Sequence, residues 1–465
     1  MGVVEKIPVP KAVEQTAQAL ASRGYDAVLV GGAVRDALLG TESSDYDLVT
    51  EIAPETMREV LAEVDGIRGV YALGERFGTV GAALEAGGTL EITQYRPDAL
   101  AFASTDERFT ADAGHRDFTV NAMGYDFARS LLLDPTGGRA DLDAKLLRTP
   151  GAPTARFAED PIRVLRAARF VAELGFSLHI RTAEAMEGHV EGLADVAPER
   201  IRDELTKLLV GRFAADGLRV ARDSGALLVV LPEVAALDGV SQPSFHDLDV
   251  LAHTIASVEG APPTRVLRWA TLLHDVGKAP ARTVEESGRI RFFRHAQIGA
   301  EIAGAICRRL RMSNADTAAI VHLVAEHMRL GEVNLESARS VDRAVRKLDL
   351  RVDATPGAAA LVSAEDAVAL TLADFGATAH RAETPRLAAA LERAVRESRE
   401  RGTHEAVRSP VSGRWLMHHF GLERGPKVGV AKSAIERAIE SGELSADDID
   451  GALQVARAAL QRAGH

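Results

Sequence analysis

Residues 28–50, VLVGGAVRDALLGTESSDYDLVT, carry the reading that decides the fold. Val28-Leu29-Val30 has the apolar run of a short buried strand, Gly31-Gly32 marks a tight turn, and AVRDALLG has the pattern of a helix opening straight after it. The next strand carries Asp45 and Asp47 on either side of Tyr46. Residues i and i+2 of a strand point to one face, so Tyr46 turns away while both carboxylates converge. Mg²⁺ favours such oxygen ligands, completed by water and substrate phosphates. The strand–Gly-Gly–helix unit aims backbone N–H groups at an anion. A phosphate cradle beside paired carboxylates points to transfer of a nucleotidyl group, whereas either feature alone is often a plain polar turn.

Neighbouring segments extend this site. FGTVGAALEAGGTLEITQYR (77–96) reads as a hairpin turning at Ala86-Gly87-Gly88, with Glu91, Thr93 and Tyr95 on one face of its second strand and Leu90 and Ile92 on the other. Glu91 is a candidate third metal carboxylate; the alternative is an exposed strand acid. HRDFTVNAMGYD (115–126) gathers Arg116, Asp117 and Asn121. Arginine offers phosphate a fixed fork of donors, and an aspartate can accept from a ribose hydroxyl. In RFAEDPIRVLRAARF (156–170), Asp160 and Arg163 are expected on one helix face. An ionised carboxylate only accepts and a guanidinium only donates. Cytosine and adenine each show an amino donor next to a ring-nitrogen acceptor, so one Asp–Arg pair suits both and leaves buried groups unpaired with uracil or guanine.

The runs LVGGAVRDALLG, DYDLVT, HRDFTVNAM, LLDPTGGRADL, RFAEDPIRVLRAARF and PERIRDELTKLL occur in this order. Together they resemble the motifs of bacterial class II tRNA nucleotidyltransferases, the CCA-adding enzymes and the related bacterial poly(A) polymerases. The resemblance implies addition of C, C and A to the 3′ end of tRNA from CTP and ATP without a template. The tRNA 3′-hydroxyl would attack the nucleotide α-phosphate and release pyrophosphate. It further implies that Asp45 and Asp47 hold Mg²⁺ with Glu91 as third carboxylate, and that Gly31, Gly32 and Arg35 face the triphosphate. Arg116, Asp117 and Asn121 would contact the sugar and phosphates, Asp160 and Arg163 would read the base, and Arg166 would join the nucleotide-binding set. Two positions depart from the family pattern. The first of the two arginines that usually precede the motif's aspartate is His115, and a neutral imidazole is a weaker phosphate partner. The flexible polar loop that full CCA-adding relatives carry after a Thr/aromatic–Arg turn is missing, since Thr93–Arg96 passes directly to Pro97. That deletion resembles the CC-adding enzymes.

Further along, His253, His274-Asp275 in LLHDVGKAP (272–280), His295, His327 and Asp374 resemble the HD phosphohydrolase superfamily. The resemblance implies His253, His274, Asp275 and Asp374 as the principal metal ligands. His295 and His327 would serve a second metal, with His322 a weaker candidate. Imidazole and carboxylate together suit Mn²⁺, Ni²⁺, Fe²⁺ or Co²⁺ better than Mg²⁺. Single histidines such as His295 and His327 could instead be satisfied core residues.

A chain of 465 residues should hold several domains. The expected architecture is α+β: a nucleotidyltransferase head with a small mixed sheet over residues 1–150, a helical neck over 151–240 for base recognition, an HD domain over 241–385, and a helical tail over 386–465 that contacts tRNA. Arg163–Gly175 and Ala197–Leu209 read as amphipathic helices, and VLPEVAALDGVSQPSFHD (230–247) as a linker. A net charge of −12 sits awkwardly with RNA binding, which rests on phosphate neutralisation. A basic path must therefore be local; Cys307–Arg311, Ala338–Arg351 and Ala394–Gly402 are the candidates. The single cysteine, Cys307, reads as packing and excludes an internal disulfide or a Cys-rich zinc site. The opening MGVVEKIPVP has no signal-peptide core and no apolar run spans a bilayer, so a cytoplasmic protein without a membrane partner is expected. Poly(A) polymerase, HD phosphohydrolase as the main activity, and a non-enzymatic RNA binder are the competing readings. The intact Asp45 and Asp47 oppose the last two, and the acidic-to-neutral C-terminal stretch opposes the first.

Overall fold

Seven strands build the head: β1 (Val28–Val30), β2 (Asp45–Thr50), β3 (Ile67–Leu73), β4 (Thr79–Leu84), β5 (Thr89–Gln94), β6 (Gly124–Asp126) and β7 (Leu131–Leu133). They form one mixed sheet in the order β3-β4-β5-β2-β1-β6-β7. β2 and β5 pair in parallel, and the other neighbours are antiparallel. The computed structural model describes residues 7–73, 78–242, 248–351, 360–401, 409–423, 425–440, 443–445 and 447–462.

The β4–β5 hairpin forms where the sequence places it, and its glycines show why. Gly87 and Gly88 both lie at positive φ, +92° and +87°. A side chain on Gly88 would also put its Cβ 2.0 Å from the Ser44 carbonyl oxygen, whereas one on Gly87 would meet nothing within 4 Å. The close approach of Gly88 to Ser44 lets β5 lie beside β2, with Asp47 in register with Glu91.

Beyond the head the chain is helical. Pro153–Glu159 and Ile162–Leu174 are separate helices, so the expectation that Asp160 and Arg163 share one helix face is corrected. Asp160 is extended, with φ −152° and ψ 101°. A proline disfavours the helical region for the residue before it, and Pro161 ends one helix and begins the next. Ile162–Leu174 packs against Pro198–Val210 and Ala214–Asp223. It ends at Gly175, where a side chain would strike the Phe213 ring at 2.8 Å. The stretch expected as a linker is helical in its first part: Pro232–Ala235 forms a short helix, and Leu231, Val234 and Leu237 are buried in the core. Apolar spacing outweighed the turn-forming residues there, and residues 243–247 of that stretch lie outside the described residues. The helices Val250–Gly260, Arg265–Leu273, His295–Arg309, Asn314–Glu326 and Ala364–Gly376 follow.

The chain divides into two compact units. The first comprises Met1–Glu332 and Leu348–Ala389; the second comprises Val333–Lys347 and Ala390–His465. The second unit has its own apolar core around Leu416, Ala431, Ile435, Ala452 and Leu460. Within it, Arg401 Nη2 donates to Asp342 Oδ1 at 2.7 Å. No described helix is long and apolar enough to cross a membrane.

Gly88→Ala should destabilise the protein more than Gly87→Ala, by about 1–3 kcal/mol, because only the former adds a backbone clash to the φ penalty. Denaturant midpoints of the two variants measure this, and equal midpoints would contradict the β2–β5 packing.

Candidate active site and candidate metal centre

Asp45 and Asp47 share one face of β2, and the parallel register sets Glu91 beside Asp47. Thr89 donates its hydroxyl to Asp45 Oδ1 at 2.8 Å. Burial raises the pKa of Asp47, which Arg116 opposes and Asp45 reinforces. Burial also raises Glu91, and Asp47 and then Asp45 push it further. Three carboxylates that repel one another in this way form a donor set of hard oxygens suited to a divalent cation. Gly31 keeps the turn open: its φ is +75°, and a Cβ would stand 3.4 Å from Asp47 Oδ2 and 3.7 Å from Arg116 Nη1. The helix that follows, Gly32–Leu38, has only seven residues, so arginines rather than a helix dipole dominate the field for an anion.

A cavity of about 500 Å³ opens beside these groups. Gly31, Gly32, Arg35, Asp47, Arg116, Asp117, Asn121, Asp160, Arg163 and Arg166 all line it, which brings together every residue expected to bind nucleotide. Asp45 and Glu91 are not among its lining residues. Arg116 is held by Asp112, with Nη2 2.9 Å from Oδ2. Arg35 Nη1 donates to Asn121 Oδ1 at 2.7 Å. Asp117 is buried and accepts from Arg166 Nε at 2.9 Å, Asn121 Nδ2 at 3.2 Å and the Phe118 backbone N–H at 2.7 Å. Its oxygens are therefore spent on orienting Arg166 and Asn121, not offered freely to a sugar.

The two groups expected to read the base have separate partners. Arg163 donates to Glu159 Oε2 at 2.9 Å, to the Arg156 carbonyl at 2.9 Å and to the His115 carbonyl at 2.6 Å. Asp160 Oδ2 accepts from Arg200 Nη2 at 2.7 Å, while the Arg200 contact to Oδ1 is a long 3.4 Å. Arg200 and Glu204 were missed as site residues, although both lie in the quoted PERIRDELTKLL run with the i,i+4 spacing of one helix face. Glu204 accepts from Arg166 and Arg169, at 3.2 and 3.4 Å. Phe170 provides the apolar floor, with the guanidinium carbons of Arg169, Arg166 and Arg35 at 4.0, 5.4 and 5.5 Å from its ring centre. An aromatic face favours cations placed in this way.

The HD segment builds a second centre. His253, His274 and Asp374 offer three ligand atoms within 4.8 Å of one another, and so do Asp275, His295 and His327. His274, His295 and His327 each turn Nδ1 to a backbone carbonyl, of Thr271, Phe292 and Val324, at 2.7, 3.0 and 2.8 Å. That fixes Nδ1 as the protonated nitrogen and aims Nε2 inward. The Nε2 atoms of His295 and His327 stand 3.2 Å apart. Two lone pairs facing at that distance need a cation or a proton between them. His274 Nε2 is buried, 3.2 Å from Asp275 Oδ2 and 3.6 Å from Asp374 Oδ1. Burial alone would lower His274, but Asp275 and Asp374 outweigh it and push its pKa up to about 10, so without an ion Nε2 holds a proton, which a bound cation would displace from the same carboxylate field. Burial, with His274 nearby, lowers His327 to about 4, which keeps that imidazole neutral as a ligand must be. Lys278, of the same LLHDVGKAP run, places Nζ 2.6 Å from Asp275 Oδ2. This donor set fits a pair of divalent ions.

Other expected features fall outside both centres. His322 Nε2 lies 2.9 Å from the Leu348 carbonyl and belongs to neither ligand group. Cys307 is fully buried, and burial pushes its thiol up to about 11. In the basic stretch at Cys307–Arg311, Arg309 pairs with Glu233 and Arg311 with Glu199.

Comparison with known proteins agrees with this geometry. Residues 27–148 match the poly A polymerase head domain, residues 175–237 the probable RNA and SrmB-binding site of polymerase A, and residues 250–368 the HD domain. The chain is 34% identical over 454 residues to an A-adding tRNA nucleotidyltransferase of Deinococcus radiodurans, covering 94% of this chain and 95% of that one. It is 33% identical to a CC-adding tRNA nucleotidyltransferase of Thermus thermophilus, covering 90% and 91%. A CCA-adding enzyme of Geobacillus thermodenitrificans is also 33% identical, over 57% of this chain and 66% of that one. The crystal structure of the Bacillus stearothermophilus CCA-adding enzyme in complex with CTP superposes with a TM-score of 0.63 at 25% identity, over 98% of this chain and all of the other. The chain belongs to the tRNA nucleotidyltransferase family.

The buried Asp117 carries a pH signature. Burial would raise its pKa, but Arg166, Asn121 and the Phe118 N–H outweigh that and bring it to about 2. The unfolded value is about 3.9, so its contribution of about 2.6 kcal/mol is present above pH 4 and lost as pH falls through 2. The unfolding free energy of the protein should exceed that of Asp117→Asn by about this amount at pH 7, with the gap closing from pH 4 downward. A gap independent of pH would contradict the ion pair.

Proposed function

We propose that this chain extends the 3′ end of tRNA with nucleotides of the CCA terminus, taking CTP and ATP and using no nucleic-acid template. The observation that carries this reading is the single cavity into which separated segments bring phosphate, sugar and base partners, beside paired strand carboxylates. Mg²⁺ held by Asp45 and Asp47, with Glu91 alongside, would supply charge stabilisation at the attacking and leaving oxygens of an in-line displacement. Arg35 and Arg116 donate to the triphosphate, and Gly31 and Gly32 let it approach the backbone. Asn121 and Arg166, both oriented by Asp117, face the sugar side. Asp160 accepts from the exocyclic amino group of the base, for which its loosely engaged Oδ1 is available, and Arg163 donates to the ring nitrogen. In this reading residues 1–150 form the catalytic head, 151–240 the base-reading neck, 241–385 the HD domain and 386–465 a tail that contacts tRNA, and the substrate places the protein in the cytoplasm.

A narrower reading has its own support. The segment from β5 to the helix Thr105–Ala113 is short and contains a 3-10 turn at Ala99–Ala101. This favours a CC-adding enzyme that stops before the terminal A. The assay supplies tRNAs ending at the discriminator base, at C or at CC with CTP and ATP, and counts the nucleotides gained. Gain of two C residues only supports the narrower reading, gain of three supports full CCA synthesis, and long A tracts would make the protein a poly(A) polymerase. Asp45→Ala or Asp47→Ala should lower turnover by at least about 10³-fold while tRNA affinity changes little, since metal ligands act on the transition state. Near-normal turnover at saturating Mg²⁺ in either variant would refute the carboxylate assignment.

The HD centre supports a second, metal-dependent hydrolysis of phosphate esters, with Mn²⁺, Ni²⁺, Fe²⁺ or Co²⁺ as the fitting ions. Replacing His274 and Asp275 together with Ala should abolish metal retention and ester hydrolysis and leave nucleotide addition intact. Purified protein without transition metal, and without hydrolysis across these ions and Mg²⁺, would reduce the centre to a scaffold.

A further inference from the structure

Seven arginines line the nucleotide cavity, and six of them are engaged. Arg35 is held by Asn121, Arg116 by Asp112, Arg163 by Glu159, Arg166 by Asp117, Arg169 by Glu204 and Arg200 by Asp160. The seventh, Arg96, is exposed, and its guanidinium has no hydrogen bond or ion pair among the described residues. It lies just past β5, the strand that sets Glu91 beside Asp47. Beyond it the chain makes a tight turn. The Leu100 N–H donates to the Arg96 carbonyl at 3.0 Å, and the Phe102 N–H to the Ala99 carbonyl at 3.2 Å. Ala99 is fully buried as the anchor. Arg108 Nη1 holds the Phe102 and Ala103 carbonyls at 3.0 Å each, while its Nε donates to Asp26 Oδ2 at 2.7 Å. The one acid of residues 96–104, Asp98, is met by His115 Nε2 at 3.2 Å. Leu100 and Phe102 are left 36% and 45% exposed on this fixed segment.

We infer that this turn is the docking surface for the single-stranded 3′ end of the tRNA, with Arg96 on a backbone phosphate and Phe102 and Leu100 against a base. This rests on the tRNA-extension reading above and assigns residues which that reading leaves without a role. A cavity of about 500 Å³ encloses one nucleoside triphosphate, not a polynucleotide. The growing strand must therefore cross the rim to bring its 3′-hydroxyl to Asp47, and Arg96 stands on that rim. The partners already assigned to triphosphate, sugar and base lie deeper: Arg35, Asp117, Asn121 and Arg163 are all buried. An unpaired guanidinium is a ready partner for phosphate, since no ion pair has to be broken first. A cation beside an apolar and aromatic surface is how proteins hold single strands: the charge attracts the phosphate and the ring stacks on a base of any identity. The net charge of −12 makes such a cation count, because the basic stretch at Cys307–Arg311 is already spent on Glu233 and Glu199. The fixed turn also lowers the entropy lost on docking.

The test measures kcat/KM for a tRNA ending at its discriminator base, at saturating CTP, over a range of KCl concentrations. Calorimetry gives the Kd of CTP with Mg²⁺ in the absence of tRNA. Arg96→Ala should lower kcat/KM roughly tenfold, the scale of one charge-assisted contact. It should also reduce the slope of log(kcat/KM) against log salt by about 0.7, the share of one single-strand phosphate. Arg96→Lys should keep the slope. Phe102→Ala should lower kcat/KM by roughly five- to tenfold without changing the slope, and Phe102→Tyr should restore it. Both side chains are exposed, so these variants do not endanger folding. The Kd of CTP should be unchanged in all four. Unaltered kcat/KM and slope in Arg96→Ala overturn the docking surface, and so does a weakened Kd for CTP, which would put Arg96 on the incoming nucleotide. Failure of the unmodified protein to extend any tRNA would instead remove the tRNA-extension reading, and this surface with it.

Discussion

The pairing of buried Asp117 with half-buried Arg166 is the constraint on which the active site depends. Removing two charges from water is costly, and the attraction between them offsets this only when every lone pair and donor finds a partner. Here Asp117 is filled by Arg166, Asn121 and the Phe118 N–H, Asn121 passes its carbonyl to Arg35, and Arg166 is held on its other side by Glu204. Glu204 in turn takes Arg169, which lies over Phe170. This chain of contacts runs from the Gly-Gly turn of the head to the helix Pro198–Val210 of the neck. A nucleotide laid across it would find phosphate donors on one element and base partners on another, already in register.

Two centres in one unit concentrate repulsion by different means. On the head sheet, strand period and parallel register gather hard carboxylate oxygens, suited to Mg²⁺ and phosphate. In the HD segment, helix ends and backbone carbonyls fix the histidine tautomers and aim nitrogen lone pairs at one another. Borderline transition metals suit that set better. Gly277 makes the close packing of the second centre possible, because a Cβ there would lie 2.1 Å from the His295 carbonyl oxygen.

The legible part of this protein followed short-range rules. Period two put Asp45 and Asp47 on one face, the Gly87-Gly88 turn gave the hairpin, and ordered motifs gave the cavity lining. What escaped depended on packing between distant segments. The break at Asp160 was readable from Pro161 but was overridden by the attraction of an i,i+3 pair. Arg200 and Glu204 lie in the PERIRDELTKLL run, yet nothing local shows that they meet Asp160 and Arg166 from another helix. The stretch around Pro232 carried turn residues and buried apolar ones in the same span, and burial prevailed. The association of Val333–Lys347 with the C-terminal segment has no local signature at all.

The central claim is that one cavity reads the base through Asp160 and Arg163 while the head carboxylates face the phosphates. A crystal structure with CTP and Mg²⁺ tests this most directly. The triphosphate should lie against Arg116 and the Asp45–Asp47 face, with the cytosine amino group at Asp160 and its ring nitrogen at Arg163. A nucleotide bound at the HD centre instead, or one in the cavity with its base turned away from both residues, would contradict it.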